Sequence, residues 1–274
     1  MNTCTIIEED ARKALKGYQG QADLIFTSPP YADARKKHYD SVSPDDFAAW
    51  FLTFHEVCWN ALREDGSLVI NIKDKIVDKV RHRYVWQTIL KFTEAGWHCI
   101  DDYVWHKANA MPGYWPTRLR DSWEYVFHLS KSKKPYMDQE AVRIPIGDWA
   151  SRYGKLETRN LKRHLSATGS GFSRNRSKWA AKSLVLPSNV FYGSAVCNNK
   201  RQPAVFPLAL PSFFIKLLSR KGSLVIDPFA GSGTTGVAAL NLGRNAVLID
   251  NNALYCKVAR ERVEKEVRRR PEQI

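Results

Sequence analysis

A mainly parallel β-sheet covered by helices on both faces is predicted by three observations. Short apolar runs alternate with amphipathic stretches along most of the chain, and those stretches close near Gly66, Gly96 and Gly243. Two of the runs end in loops rich in breakers, Ser28-Pro29-Pro30-Tyr31 and Asp227-Pro-Phe-Ala-Gly-Ser-Gly233. The third observation is length: 274 residues suffice for one large core, or one with an insertion.

In chain order, residues 3–7 (TCTII) read as a strand, 8–16 as a short helix and 23–27 (DLIFT) as a second strand. The paired prolines after Ser28 remove ladder donors and fix φ, so this strand must stop in a stiff, extended loop. In open α/β sheets ligands bind at such carboxyl ends. Ser43-Pro44-Asp45-Asp46 opens a helix with a capping hydroxyl, a first-turn proline and two acids at the positive end of the dipole. Phe47, Trp50, Phe51, Phe54, Val57, Cys58 and Leu62 follow at helical spacing, which predicts core packing, and the helix should end near Gly66. Residues 67–72 are the next strand, 84–95 a helix and 97–105 a strand. After a loop over 104–113, residues 122–129 resume as a strand. Residues 208–219 form an apolar helix that leads to strand 223–226. Helix 234–242, strand 245–250 and helix 253–270 complete the alternation.

The stretch from Asp227 to Gly236 is therefore a strand, a glycine turn and a helix. Gly231 and Gly233 let the backbone bend tightly and let a ligand approach the amides at the helix N-terminus. The string also fits G-x-G-x-x-G, with Asp250 at the end of the following strand, which suggests a dinucleotide site. Two details favour another ligand. A carboxylate at the mouth of the turn, Asp227, repels a pyrophosphate and attracts a cation such as S-adenosylmethionine, whose ribose Asp250 can bind. Only 38 residues follow Gly236, too few for a second nucleotide-binding half.

The net charge is +14, which suggests a polyanionic partner. Residues 151–182 carry nine Lys or Arg against one acid, interleaved with Tyr153, Phe172 and Trp179, and this predicts a nucleic-acid contact surface. Five scattered cysteines with no C-x-x-C pair indicate neither zinc nor disulfides and fit a reducing cytoplasm. The seven histidines show no H-E-x-x-H spacing, so no metal is assigned. No apolar run is long enough to span a bilayer.

Together Thr27-Ser-Pro-Pro-Tyr31 and Asp227-Pro-Phe-Ala-Gly-Ser-Gly-Thr234 resemble the amino-methyltransferases of DNA, which modify cytosine N4 or adenine N6. With the catalytic loop first and the cofactor loop last, the order resembles the circularly permuted beta class. Trp105-His-Lys-Ala-Asn-Ala-Met-Pro112 and Pro203-Ala-Val-Phe-Pro207 extend the likeness over almost the whole chain. The resemblance implies a Rossmann-like S-adenosylmethionine-dependent methyltransferase fold with a mostly parallel, seven-stranded sheet. It also implies a catalytic domain over 1–134 and 186–274 and an inserted target-recognition region over 135–185.

Carried over by position, Asp227, Phe229, Gly231, Ser232, Gly233 and Thr234 surround the methionine part and adenosine of S-adenosylmethionine. Asp250 binds the ribose, Asp10 lies near the adenine edge, and Phe206 and Pro207 help close the methionine side. An exocyclic amine is a poor nucleophile because its lone pair is delocalised into the ring. Acceptors at Ser28 and the Pro29 carbonyl can localise it, with Pro30 stiffening the loop and Tyr31 stacking on a base that has left the duplex. Lys107, Arg152, Lys155, Arg159, Lys162, Arg163, Arg174, Arg176 and Lys178 are the expected DNA contacts.

The pattern Ser-Pro-Pro-Tyr favours cytosine N4, with adenine N6 as the alternative. Carbon-5 methylation is disfavoured, because no cysteine follows a proline. The rivals from other classes are a nicotinamide- or flavin-dependent oxidoreductase using the same glycine loop and a non-catalytic DNA-binding module. A homodimer and a cognate restriction endonuclease are further partners the resemblance allows.

Overall fold

A computed structural model describes residues 2–33, 42–146, 183–195 and 206–269. They fall into two compact units, one of 1–138 with 189–274 and one of 139–188. The first is built on an eight-stranded sheet. Its elements are β1 (Cys4–Glu8), α1 (Ala11–Ala14), β2 (Ala22–Thr27), α2 (Pro44–Leu52), α3 (His55–Ala61) and β3 (Leu62–Ile72). A hairpin of β4 (Lys75–Val77) and β5 (Val80–His82) precedes α4 (Tyr84–Glu94), β6 (His98–His106) and β7 (Trp123–Ser130). In the second unit, β8 (Ile144–Pro145) pairs with β9 (Leu184–Val185). The first unit then resumes with β10 (Val190–Tyr192), α5 (Ala209–Leu218), β11 (Leu224–Asp227), α6 (Thr234–Asn241), β12 (Asn245–Asp250) and α7 (Ala253–Arg268).

The sheet order is β1-β12-β11-β2-β3-β7-β6-β10, and only β7 runs antiparallel to its neighbours. Eight strands stand where seven are expected, because Val190–Tyr192 adds to the edge beside β6. Every residue of β2 is buried, as a central parallel strand covered on both faces requires. The order reverses between β11 and β2, so two loops more than 190 residues apart in sequence leave neighbouring strands at the same carboxyl edge. That crevice is where open α/β sheets bind ligands.

The single helix expected after Ser43 is two. Ser43 Oγ accepts from Asp46 N and caps α2, as its sequence predicts. The chain then breaks at Thr53 and Phe54, where Thr53 Oγ1 donates back to the Trp50 carbonyl at 2.7 Å and competes with continuation. The break leaves the apolar pattern intact: Phe47 meets Tyr84 at 4.7 Å and Phe51 stacks on Phe92 at 5.3 Å, so α2 still packs on α4. None of the helices among the described residues is long and apolar enough to cross a membrane.

Several polar groups are set into this core, His128 among them. His128 on β7 is fully buried, with Ser67 Oγ 2.8 Å from its Nε2 and no partner for Nδ1. Burial pushes its imidazole down to about 4, from 6.5. The unfolded chain therefore takes up a proton that the folded chain refuses as pH falls below 6.5. Relative to His128→Gln, which does not titrate, the wild type is expected to lose about 3 kcal/mol of unfolding free energy between pH 6.5 and 4. Urea unfolding at several pH values checks this; parallel curves would show that the ring is charged inside the fold.

Candidate active site

The first wall of the crevice is the turn after β11. Gly231 and Gly233 adopt φ of 50° and 77°, the left-handed region that disfavours side chains, and Gly233 is the N-cap of α6. At Gly236 a Cβ would meet Leu248 Cδ1 at 2.6 Å and Cys4 Sγ at 3.0 Å. This third glycine thus brings the helix onto the sheet and has no need of a ligand to explain it.

Asp227 closes the base of the turn and is fully buried. Its Oδ1 accepts from Thr27 Oγ1 at 2.8 Å and from the Phe229 amide at 3.1 Å, and its Oδ2 accepts from Thr235 Oγ1 at 2.6 Å. Thr27 ends β2, so this carboxylate ties the two loops together. Burial nevertheless raises its titration to about 6, against the opposing effect of those three donors. Asp250, at the end of β12, accepts from the Gly231 and Asn252 amides at 2.9 Å each, and burial raises it as well. Two carboxylates are thus held beside a glycine turn where desolvation disfavours their charge. A cationic ligand would reverse that cost.

The surrounding side chains refine the sequence expectations. Phe229 packs into an aromatic cluster with Trp50, Phe51 and Phe54, at 5.9, 6.1 and 5.0 Å. Phe206 lies edge-on to Phe26 at 5.4 Å, and the Pro207 carbonyl accepts from Leu210 N at the start of α5. The Ser232 and Thr234 hydroxyls are turned to Arg262 of α7, whose Nη1 lies 2.6 and 3.1 Å from them. Those contacts fix the shape of the turn. Asp10 caps α1 and forms a double contact with Arg12, which holds its carboxyl below the usual range.

The facing wall is Ser28-Pro29-Pro30-Tyr31. Ser28 Oγ donates to the Tyr31 hydroxyl at 3.3 Å, and Tyr31 donates to Glu124 Oε2 at 2.8 Å. Asn71 of β3 donates to the same Oε2 at 3.2 Å and to the Tyr125 carbonyl at 3.1 Å. Lys107 Nζ pairs with Glu124 Oε1 and lies 4.6 Å from the centre of the Trp105 ring. Burial, and then the Glu124 charge, raise the Tyr31 hydroxyl well above its ordinary value, so it stays protonated.

A carboxylate can only accept. Glu124 therefore makes Tyr31 a donor, and Tyr31 in turn leaves Ser28 with its proton directed inward and its lone pairs toward the crevice.

Glu124 and Asn71 are the residues that sequence reasoning missed. The available signal was a lone acid inside the apolar run of residues 122–129, which a buried strand tolerates only with partners. Lys107, expected on DNA, pairs with that acid in the free chain. The other expected DNA contacts, Arg152, Lys155, Arg159, Lys162, Arg163, Arg174, Arg176 and Lys178, lie outside the described residues.

Comparison with known proteins shows the family. The N6_N4_Mtase model, described as DNA methylase, matches residues 22–261. Type II methyltransferase M.SmaI of Serratia marcescens is 28% identical over 300 residues, covering 96% of this chain and 91% of that protein. Type II methyltransferase M.PvuII of Proteus hauseri is 28% identical over 266 residues, covering 90% and 79%. Among solved structures, PvuII DNA methyltransferase (cytosine-N4-specific) superposes with a TM-score of 0.69 at 22% identity, over 98% of this chain and 93% of that one. The M1.HpyAVI–SAM complex superposes at 0.58 and 21% identity, over 95% and 100%. These two likenesses speak to the fold.

Proposed function

The chain belongs to the DNA methylase family N6_N4_Mtase, and from that premise we propose that it transfers a methyl group from S-adenosylmethionine to the N4 amine of cytosine in DNA. The observation that carries the reading is the polarity of the Glu124–Tyr31–Ser28 chain, which presents Ser28 as an acceptor at the edge of the crevice. An acceptor there can take a hydrogen of the target amine and draw its lone pair out of conjugation with the ring, and the Pro29 carbonyl can take the second.

The residues of the glycine turn fit the cofactor. Buried Asp227 and Asp250 supply negative charge beside it, and the turn offers backbone close to the ligand. When bound, the cofactor supplies an electrophilic methyl on a sulfonium. The chain holds the amine in line with it and keeps the site dry, so no covalent bond to the protein is required. Since β2 and β11 are neighbours, the loops that would hold the two ligands are joined by the bond from Thr27 to Asp227.

Cytosine N4 is favoured over adenine N6 by Ser28 at the head of the loop and by the likeness to a cytosine-N4-specific enzyme. The motif order supports assignment to the permuted beta class. The basic segment within 135–185 is proposed as the target-recognition region, acting on a base that has left the duplex. Nucleoside mass spectrometry of unmethylated DNA incubated with the protein and S-adenosylmethionine tests the assignment. N4-methylcytosine is the expected product. N6-methyladenine would move the target to the other amine, and absence of both would overturn the reading.

A further inference from the structure

The loop joining β6 to β7, residues 107–122, stands on the active site itself. At its base the Lys107 amide donates to the Ser122 carbonyl at 2.6 Å. The side chains of Lys107 and Glu124, one at each foot, pair with each other, and Glu124 holds the Tyr31 hydroxyl. Further up, Asn109 and Ala195 exchange two hydrogen bonds of 2.9 and 2.7 Å, and Asp121 is bound by Arg81 at 2.6 Å. Arg118 lies over the Trp115 ring at 4.6 Å. The polar side chains thus brace the loop inward. Its apolar ones do the reverse: Met111, Tyr114 and Leu119 are 83, 88 and 89% exposed.

A single exposed apolar residue needs no explanation, but three within nine residues on a braced loop beside a catalytic pocket do. They are left almost wholly to solvent by the fold, so a partner is what could bury them. Apolar side chains of this size enter base stacks as wedges, and the gap left by an extruded base is the apolar surface nearest to the pocket that receives it.

We infer that loop 107–122 is the element that opens the duplex: it inserts Met111, Tyr114 or Leu119 into the stack at the target position. The inference rests on the proposal that the chain methylates a base out of the helix. It assigns base extrusion to a different element from the basic segment 151–182.

The test compares two oligonucleotide duplexes carrying the sequence context that the protein methylates in a plasmid. In one the target base is paired, and in the other it faces an abasic position, so that little opening is needed. The triple variant Met111→Ser/Tyr114→Ser/Leu119→Ser changes only exposed side chains, and its melting temperature should match the wild type. Its kcat/KM should fall about 30-fold or more on the paired duplex and less than about 3-fold on the other, because unpairing is the step that has lost its support. Equal losses on both duplexes, or none on either, would overturn the inference. Failure of the wild-type protein to methylate either duplex would instead defeat the underlying methyltransferase reading, and this inference with it.

Discussion

Asp227→Asn is expected to leave the protein as stable as the wild type at pH 7, or more stable, while weakening S-adenosylmethionine binding by about 10- to 100-fold. The two effects part because the carboxylate is held at a cost. Its titration at about 6, against 3.8 in an unfolded chain, means that the folded state disfavours the ionised form. For this group alone, stability is fully present below pH 3.8 and is lost as pH rises through about 6, an effect of about 3 kcal/mol. Asparagine avoids that loss. Its carbonyl can still accept from Thr27 and the Phe229 amide, and its NH2 can donate to Thr235 Oγ1, which replaces the 2.6 Å bond. Only the charge disappears, and charge is what a cationic cofactor would read. Thermal unfolding from pH 4 to 8 and calorimetric titration with the cofactor check the two halves. Undiminished affinity in a stable variant would show that Asp227 serves the turn's shape alone.

The second large effect is expected at Glu124. Glu124→Gln keeps the side chain's volume but gives the site a donor, which can face the Tyr31 oxygen. Tyr31 is then free to donate toward Ser28, and Ser28 loses an acceptor position needed for the amine. We expect kcat to fall about 10²- to 10³-fold with little change in KM for DNA or cofactor. Tyr31→Phe should cause a similar loss, and the double variant should lose scarcely more than either single one, since both cut the same chain. Additive losses would mean that Glu124 acts independently of Tyr31. Loss of the pairing with Lys107 should also lower stability, by about 1–3 kcal/mol, read from urea midpoints.

The alternation of strands and helices was legible because it depends on local patterning, and the two functional loops because prolines and glycines punctuate the chain so strongly. Ser28, Tyr31, Asp227 and Asp250 were legible for that reason and do gather at one edge of the sheet. Glu124 and Asn71 were hidden because their meeting is set by register. Asn71 lies opposite Val126 and Ile72 opposite Tyr125 across the antiparallel β3–β7 pair, and nothing in either strand announces the other. The β4–β5 hairpin escaped for a different reason. Its turn residues, Asp78 and Lys79, have φ of 48° and 68° with no glycine to mark them. Side-chain occupancy was equally unreadable: Asp10, Ser232 and Thr234 sit where the motif leads one to look, but Arg12 and Arg262 claim their polar atoms.

The sheet order also bears on synthesis. Among the described residues β1 pairs with β12 alone, so that Cys4 waits for Ala246 and Glu8 for Asp250. β2, next to emerge among the strands, lacks its neighbour β11 until residue 224 has been added. Both β2 and β11 must therefore have been made before the crevice has two sides. Chains that stop before β11 lack one wall of the crevice, and long-range closure of this edge is the stage of folding at which chaperones have most to protect.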